Sequence, residues 1–289
     1  MSAVLSAFFA SPTVQTALAV GTVVAVVSSV VGVFTITRGQ SFAGHALADL
    51  GAVGGSGAFL IGVSQLWGFV LAGVISAVAM EAIGTRRLEG RDVATGIVFG
   101  AGMGLTALFL TLDTLIGGSS NAPISVLFGS LFSLDSALVP VIVALGVVTL
   151  AIMTAIWRWV ALETLDRDLA AARGVPPKTA STLFLVALAL AVQLSSLSIG
   201  AILSTALLIG PAATALLFTR RLSTATALAA VIAVVEVWLG CLVAFASFDW
   251  FGGSSWPVSF TIVAAVFLGY VGARTVTALR PFGHRMAVG

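Results

Sequence analysis

Charge is what this chain lacks most. Asp, Glu, Lys and Arg make up 8% of its 289 residues and hydrophobic residues 59%, with a mean hydropathy of +1.16. A soluble domain carries roughly 25% charged residues, so an aqueous globular fold is excluded and a polytopic helical membrane protein is implied. The apolar runs are continuous; they do not alternate in segments of about ten residues, which excludes a transmembrane β-barrel. Cysteine occurs once, as Cys241 inside an apolar run, so an internal disulfide framework is excluded and the residue reads as a small buried hydrophobe. Lysine also occurs once, as Lys178. Its surroundings, GVPPKT, are not a phosphate-binding GxxxxGK loop, so ATP hydrolysis is not expected of this chain. Histidine occurs as His45 and His284 only, without the HExxH spacing that an intramembrane zinc hydrolase needs. Met1–Pro12 has no basic run of the kind that opens a cleavable leader.

What is present is a succession of apolar spans. They run Thr13–Thr35, Ser41–Gly62, Leu66–Ile83, Val93–Ile116, Ala137–Trp157, Thr179–Gln193, Ile199–Phe218, Thr224–Phe248 and Val258–Leu279. The expected fold is therefore all-α, with about nine transmembrane helices. Ile124–Ser136 is too short to cross and is expected to be re-entrant or interfacial. A polar segment, Arg158–Lys178, follows the fifth span, and a short Ser-rich turn separates the sixth and seventh.

Charge placement orients this succession. With the N-terminus outside and the C-terminus inside, all 13 Lys and Arg residues fall in or beside the cytoplasmic loops, from Arg38 through the TRRLEGRD loop to Arg285. The opposite side carries only acids such as Asp113, Asp135 and Asp249. The positive-inside bias is complete in this register. Trp250 and Trp256 fall where an outer aromatic belt would lie.

Within the spans, a few residues break the apolar pattern. Gly96, Gly100 and Gly104 recur every fourth residue, as do Gly51 and Gly55, which is the pattern that lets helix backbones approach in lipid. His45 and Asp49 lie one turn apart in SFAGHALADLGAVGGSGAFLIG, roughly 40° around the helix, so they share a face. Ionisable groups at membrane depth face a cavity or a partner. An imidazole with a carboxylate is a ligand set for a divalent transition metal, and equally a pair that could hydrogen-bond to anchor packing. Glu236, mid-span in AVIAVVEVWLG with no cation in its own helix, reads as protonated or hydrogen-bonded to a neighbouring helix, or as a support to a metal site. Glu81 and Asp113 lie close enough to span ends to be solvated, and Pro211 is expected to kink its helix. ALETLDRDLAAARGVPP reads as a short cytoplasmic helix ended by Gly174 and stopped by Pro176 and Pro177.

Four of these stretches together resemble the permease subunits of bacterial zinc and manganese ABC importers. RGQSFAGHALADLGAVGGSGAFLIG is similar to the family's second-span motif and DVATGIVFGAGMGLTALFL to its Gly-rich span. LETLDRDLAAARGV is similar to the coupling helix that contacts the ATPase, with Asp166, Asp168, Ala170 and Gly174 on its pattern positions. SIGAILSTALLIGPAATALLF is similar to the late-span signature, with Pro211 and Thr214 in place. The resemblance implies that residues 1–289 form one transmembrane permease domain with a coupling segment at about 160–178, working as a homodimer in the bacterial cytoplasmic membrane. It implies cytoplasmic ABC ATPase subunits that hold the ATP, an extracytoplasmic metal-binding protein, no nucleic-acid partner, and no permanently bound cofactor, zinc or manganese being cargo. The family places a carboxylate first and a histidine four residues later; here His45 precedes Asp49, and the family's following proline is replaced by small residues at Ala52–Gly54. Rival readings are a permease for an iron chelate and a secondary carrier that needs no ATPase.

Overall fold

A computed structural model describes residues 2–84, 91–117, 122–129, 131–250 and 255–279. It is helical almost throughout, with no strand among the described residues. In chain order the helices are α1 (Ser2–Ala10), α2 (Pro12–Thr37), α3 (Ser41–Leu60), α4 (Gln65–Gly84), α5 (Arg91–Leu112), α6 (Ala122–Phe128), α7 (Val139–Leu165), α8 (Arg167–Ala172), α9 (Pro177–Ile199), α10 (Ser204–Phe218), α11 (Leu222–Trp250) and α12 (Val258–Leu279). Prolines open α2, α7 and α9, where a missing N–H costs nothing because the first helical N–H groups have no partner within the helix. Among the described residues, seven helices are long and apolar enough to cross a membrane: α2, α4, α5, α7, α9, α11 and α12. The other two expected spans are the 20-residue α3 and the 15-residue α10.

Helix α9 is the axis of the bundle. It packs on α2, α3, α4, α7 and α10. In its apolar stretch 83% of the residues are buried, against 17% for α12 at the rim. The sixth span does not stop at Gln193. The helix continues to Ile199, so the serines expected in a turn are buried helical residues. Ser195 Oγ meets Ser28 Oγ of α2 at 2.6 Å and Ser198 donates to the Leu194 carbonyl at 3.0 Å, while Ser196 Oγ is buried without a hydrogen-bond partner. The chain then reverses at Gly200, whose φ of +92° is open to glycine. A side chain there would run into the backbone of Leu127 and Phe128 at the end of α6.

The structure adds detail to three further expectations. Ile124–Ser136, expected to be re-entrant or interfacial, holds α6 and a short 3₁₀ turn packed on α9, with Val126 and Leu131 buried, and leads into a second such turn against α7. The carbonyls of Val126 and Leu127 accept the N–H groups of Ala201 and Ile202, and Ser259 donates to the Phe128 carbonyl. The Arg158–Lys178 segment is less irregular than its polarity suggests, because α7 runs on to Leu165 and leaves only α8 as a separate element. The glycine spacings also divide. Gly51 and Gly55 are covered by Gln193 and Phe69, but Gly100 and Gly104 face open space in a single chain. The tightest approach of α3 to α4 uses neither set: a methyl group on Gly54 would overlap the carbonyl oxygen of Gly68, and the reverse.

Polar ties gather at the two ends of the bundle. At one end Arg38, after α2, pairs with Glu163 of α7 at 2.8 Å, and Ser181 in the first turn of α9 donates to Glu81 of α4 at 2.7 Å. At the other, Ser125 of α6 meets Gln65 of α4 at 3.3 Å and the Trp256 N–H donates to Ser247 at 2.8 Å. The C-termini of α2, α4 and α7 and the N-terminus of α9 thus share one end.

Candidate metal path

Helix α3 carries the candidate ligands between α4, α5 and α9. Three small-residue contacts let it sit deep: Gly54 against Gly68, Gly51 against Gln193, and Gly55 against the Phe69 ring. Gln193, itself buried, donates from Nε2 to the Leu47 carbonyl at 2.8 Å, which fixes α3 just before Asp49. This clamp was hidden in the sequence, since Gln193 looked like the last residue before a turn. Its signal was a lone amide inside an otherwise apolar run.

His45 and Asp49 share a face as their spacing requires. His45 Nε2 lies 3.7 Å from Asp49 Oδ2, longer than a hydrogen bond. The His45 side chain is 42% exposed and stands 5.5 Å, ring to ring, from Phe99 of α5, while that of Asp49 is only 9% exposed. Asp49 Oδ2 has no hydrogen-bond partner. A packing pair would close that gap, because a buried unpartnered carboxylate oxygen is costly. A cation between an open imidazole and a buried carboxylate would satisfy both. No group of three His, Cys, Asp or Glu converges among the described residues, so one copy offers only these two ligands.

The other candidate residues lie elsewhere. Glu236 of α11 is buried with both carboxylate oxygens unpartnered, so the expected hydrogen bond to a neighbouring helix is not made. It abuts Gly269 of α12 and lines a groove of about 920 Å³ formed by α10, α11, α12 and Trp256, to which neither His45 nor Asp49 contributes. Asp113 is not solvated: a π-helical turn, Asp113–Gly117, continues α5 and buries it, with Oδ2 unpartnered. Glu81 is half-buried and accepts the Ser181 hydroxyl. Pro211 lies inside α10 and is buried.

In the coupling segment, Asp166 stands between α7 and α8 and accepts the Leu169 N–H at 3.1 Å, capping α8. Ala170 is buried in a small cluster with Val175 and Ala180, packed against Trp159 and Leu162. Gly174 has φ +77° and closes α8, with the Val175 N–H returning to the Ala170 carbonyl. Asp168 lies in α8, but its side chain is outside the described residues, as are Arg86, Arg87, Arg280, His284 and Arg285.

Seven described helices long and apolar enough to cross a membrane, with a His–Asp face on an inner helix, define a polytopic membrane protein. The chain belongs to the ABC 3 transport family, which residues 10–275 match. It is 31% identical over 226 residues to the manganese transport system membrane protein MntC of Halalkalibacterium halodurans, covering 78% of this chain and 76% of that one. It is 30% identical over 209 residues to the zinc transport system membrane protein TroC of Treponema pallidum, covering 70% of each. Its fold matches the structure of PsaBC from Streptococcus pneumoniae in complex with Fab, with a TM-score of 0.79, 23% identity and 94% of both chains covered. The chain is therefore a multi-span permease of the bacterial cytoplasmic membrane and not an enzyme, as its sequence suggested.

Proposed function

We propose that this chain is the membrane subunit of an ABC importer that carries zinc or manganese into the cytoplasm. The observation that carries the reading is Asp49 Oδ2, buried and unpartnered 3.7 Å from the half-exposed imidazole of His45. A divalent ion replaces the missing hydrogen bond with coordination, and it competes with protons for the imidazole. The relatives named for manganese and zinc transport support the cargo. The open face at Gly100 and Gly104, beside Phe99 and His45, supports pairing of two copies. Two imidazoles and two carboxylates then suit tetrahedral zinc; manganese would add oxygen ligands from water. In this reading nine helices cross, with the N-terminus outside, and α8 meets a cytoplasmic ATPase. An extracytoplasmic metal-binding protein delivers the ion.

The double exchange His45→Asp with Asp49→His tests the site. It restores the family's usual ligand order and keeps both ligand types on one face, so metal uptake should be retained, with a changed zinc-to-manganese preference. Uptake that survives Ala at both positions would remove the site. Uptake of ferric chelate in place of the free ions, or purification without any ATPase, would favour the rival carriers.

A further inference from the structure

The Arg38–Glu163 pair is the buried ion pair joining two helices among the described residues, and it has an unusual position. Arg38 is the C-cap of α2, in the short link that leads into α3 and its His45. Glu163 lies in the last turn of α7, immediately before Asp166 and α8. The two side chains are 8% and 4% exposed and approach to 2.8 Å. The guanidinium also lies over the Phe184 ring of α9, 4.9 Å from its centroid. Beside it, Phe34 of α2 and Trp157 of α7 meet edge to face at 4.7 Å. The contact runs from Arg38 Nη1 to Glu163 Oε2, and neither that Nη1 nor Glu163 Oε1 has the geometry of a hydrogen bond to any partner. A pair held for stability alone would close both oxygens onto the guanidinium fork. Replacing such a pair with apolar residues commonly costs a fold nothing, so stability does not explain its presence.

We infer that Arg38 and Glu163 are positioning residues that pass displacement of α8 to α3. Movement at the α7–α8 junction shifts Glu163. The guanidinium follows, sliding over the flat face of Phe184, which holds charge without fixing direction. The α2–α3 link then carries the first turn of α3 and His45 with it. The free Glu163 oxygen gives the pair a second arrangement to reach, as a two-position device needs. This inference rests on the proposed ATP-driven import.

The test uses the chain purified with its ATPase and reconstituted in vesicles, with manganese as the probe. Three forms are compared: Glu163→Gln, Arg38→Lys, and the exchange Arg38→Glu with Glu163→Arg. Copurification of ATPase, ATP turnover and manganese taken up per ATP are read together. Glu163→Gln should keep ATPase association and turnover but lower uptake per ATP at least tenfold, with Arg38→Lys intermediate. The exchange should recover uptake per ATP to within about threefold of the unchanged chain. Should Glu163→Gln fail to insert, Arg38→Lys and the exchange still decide. An unchanged uptake-to-ATP ratio in Arg38→Lys, or an exchange that loses turnover and uptake in parallel, would overturn the tie. An unchanged chain that captures no ATPase would instead overturn the functional reading on which it rests.

Discussion

At the residue scale, the molecule separates polar groups that hold helices together from those left without partners. Ser28, Ser181 and Gln193 each bridge two helices by hydrogen bonds, and their removal costs only about 0.6–1.7 kcal/mol in a membrane, where the unfolded helices also find partners. Asp49 bridges nothing within reach. Its replacement by alanine should therefore leave insertion and thermal stability near those of the unchanged chain while lowering metal uptake by at least roughly 10–100-fold, as loss of a ligand contact does. Uptake and stability measured on one preparation check this; a parallel fall in both would mark Asp49 as a packing residue. Gly54 predicts the opposite pattern. A leucine there has no space against the Gly68 carbonyl, and overpacking costs about 1–3 kcal/mol, so melting temperature should fall before transport is specifically affected.

Helix α8 shows how much an element of six residues depends on its ends. Its start is capped by Asp166, its finish is turned by Gly174, and Ala170 docks it on Trp159 and Leu162. Asp166→Ala should remove a cap worth about 1 kcal/mol. The loss falls on a surface element, so the bundle should remain inserted while capture of the ATPase weakens several-fold. Copurification read beside a melting curve checks the separation. Gly174→Val forces a β-branched residue to φ +77° and should give the stronger effect. The elements also show what a single sequence can and cannot reveal. Apolar length located the seven described helices long and apolar enough to cross a membrane, because membrane depth dictates that length. The end of α9 is not legible in sequence, because the serines after Gln193 read as a turn when Ser28, the partner of Ser195, lies far away in the chain. The His45–Asp49 face was legible from i, i+4 spacing. Its openness was not, and neither was the Arg38–Glu163 contact, since no local pattern links α2 to α7. Gly100 and Gly104 illustrate the converse: a small-residue spacing is visible in sequence, yet no described residue lies against either position.

For the whole molecule the arrangement of ends is decisive. Arg38, Glu163, Glu81 and Ser181 collect at one end, the end that the proposed topology turns toward the cytoplasm. A cysteine at Ser136, exposed near the other end, should label from outside intact cells, and one at Arg173, exposed beside α8, should label only after permeabilisation. Cys241 is fully buried and should give no background. Labelling of both sites from outside would break the nine-span topology. The most direct measurement of the account's central claim is ATP-dependent manganese and zinc uptake into vesicles holding this chain with its ATPase, compared with the same vesicles carrying Asp49→Ala and His45→Ala. Uptake that requires ATP and collapses in both variants, with ATPase capture intact, is the result expected. Equal uptake in all three, or uptake without ATP, would contradict it.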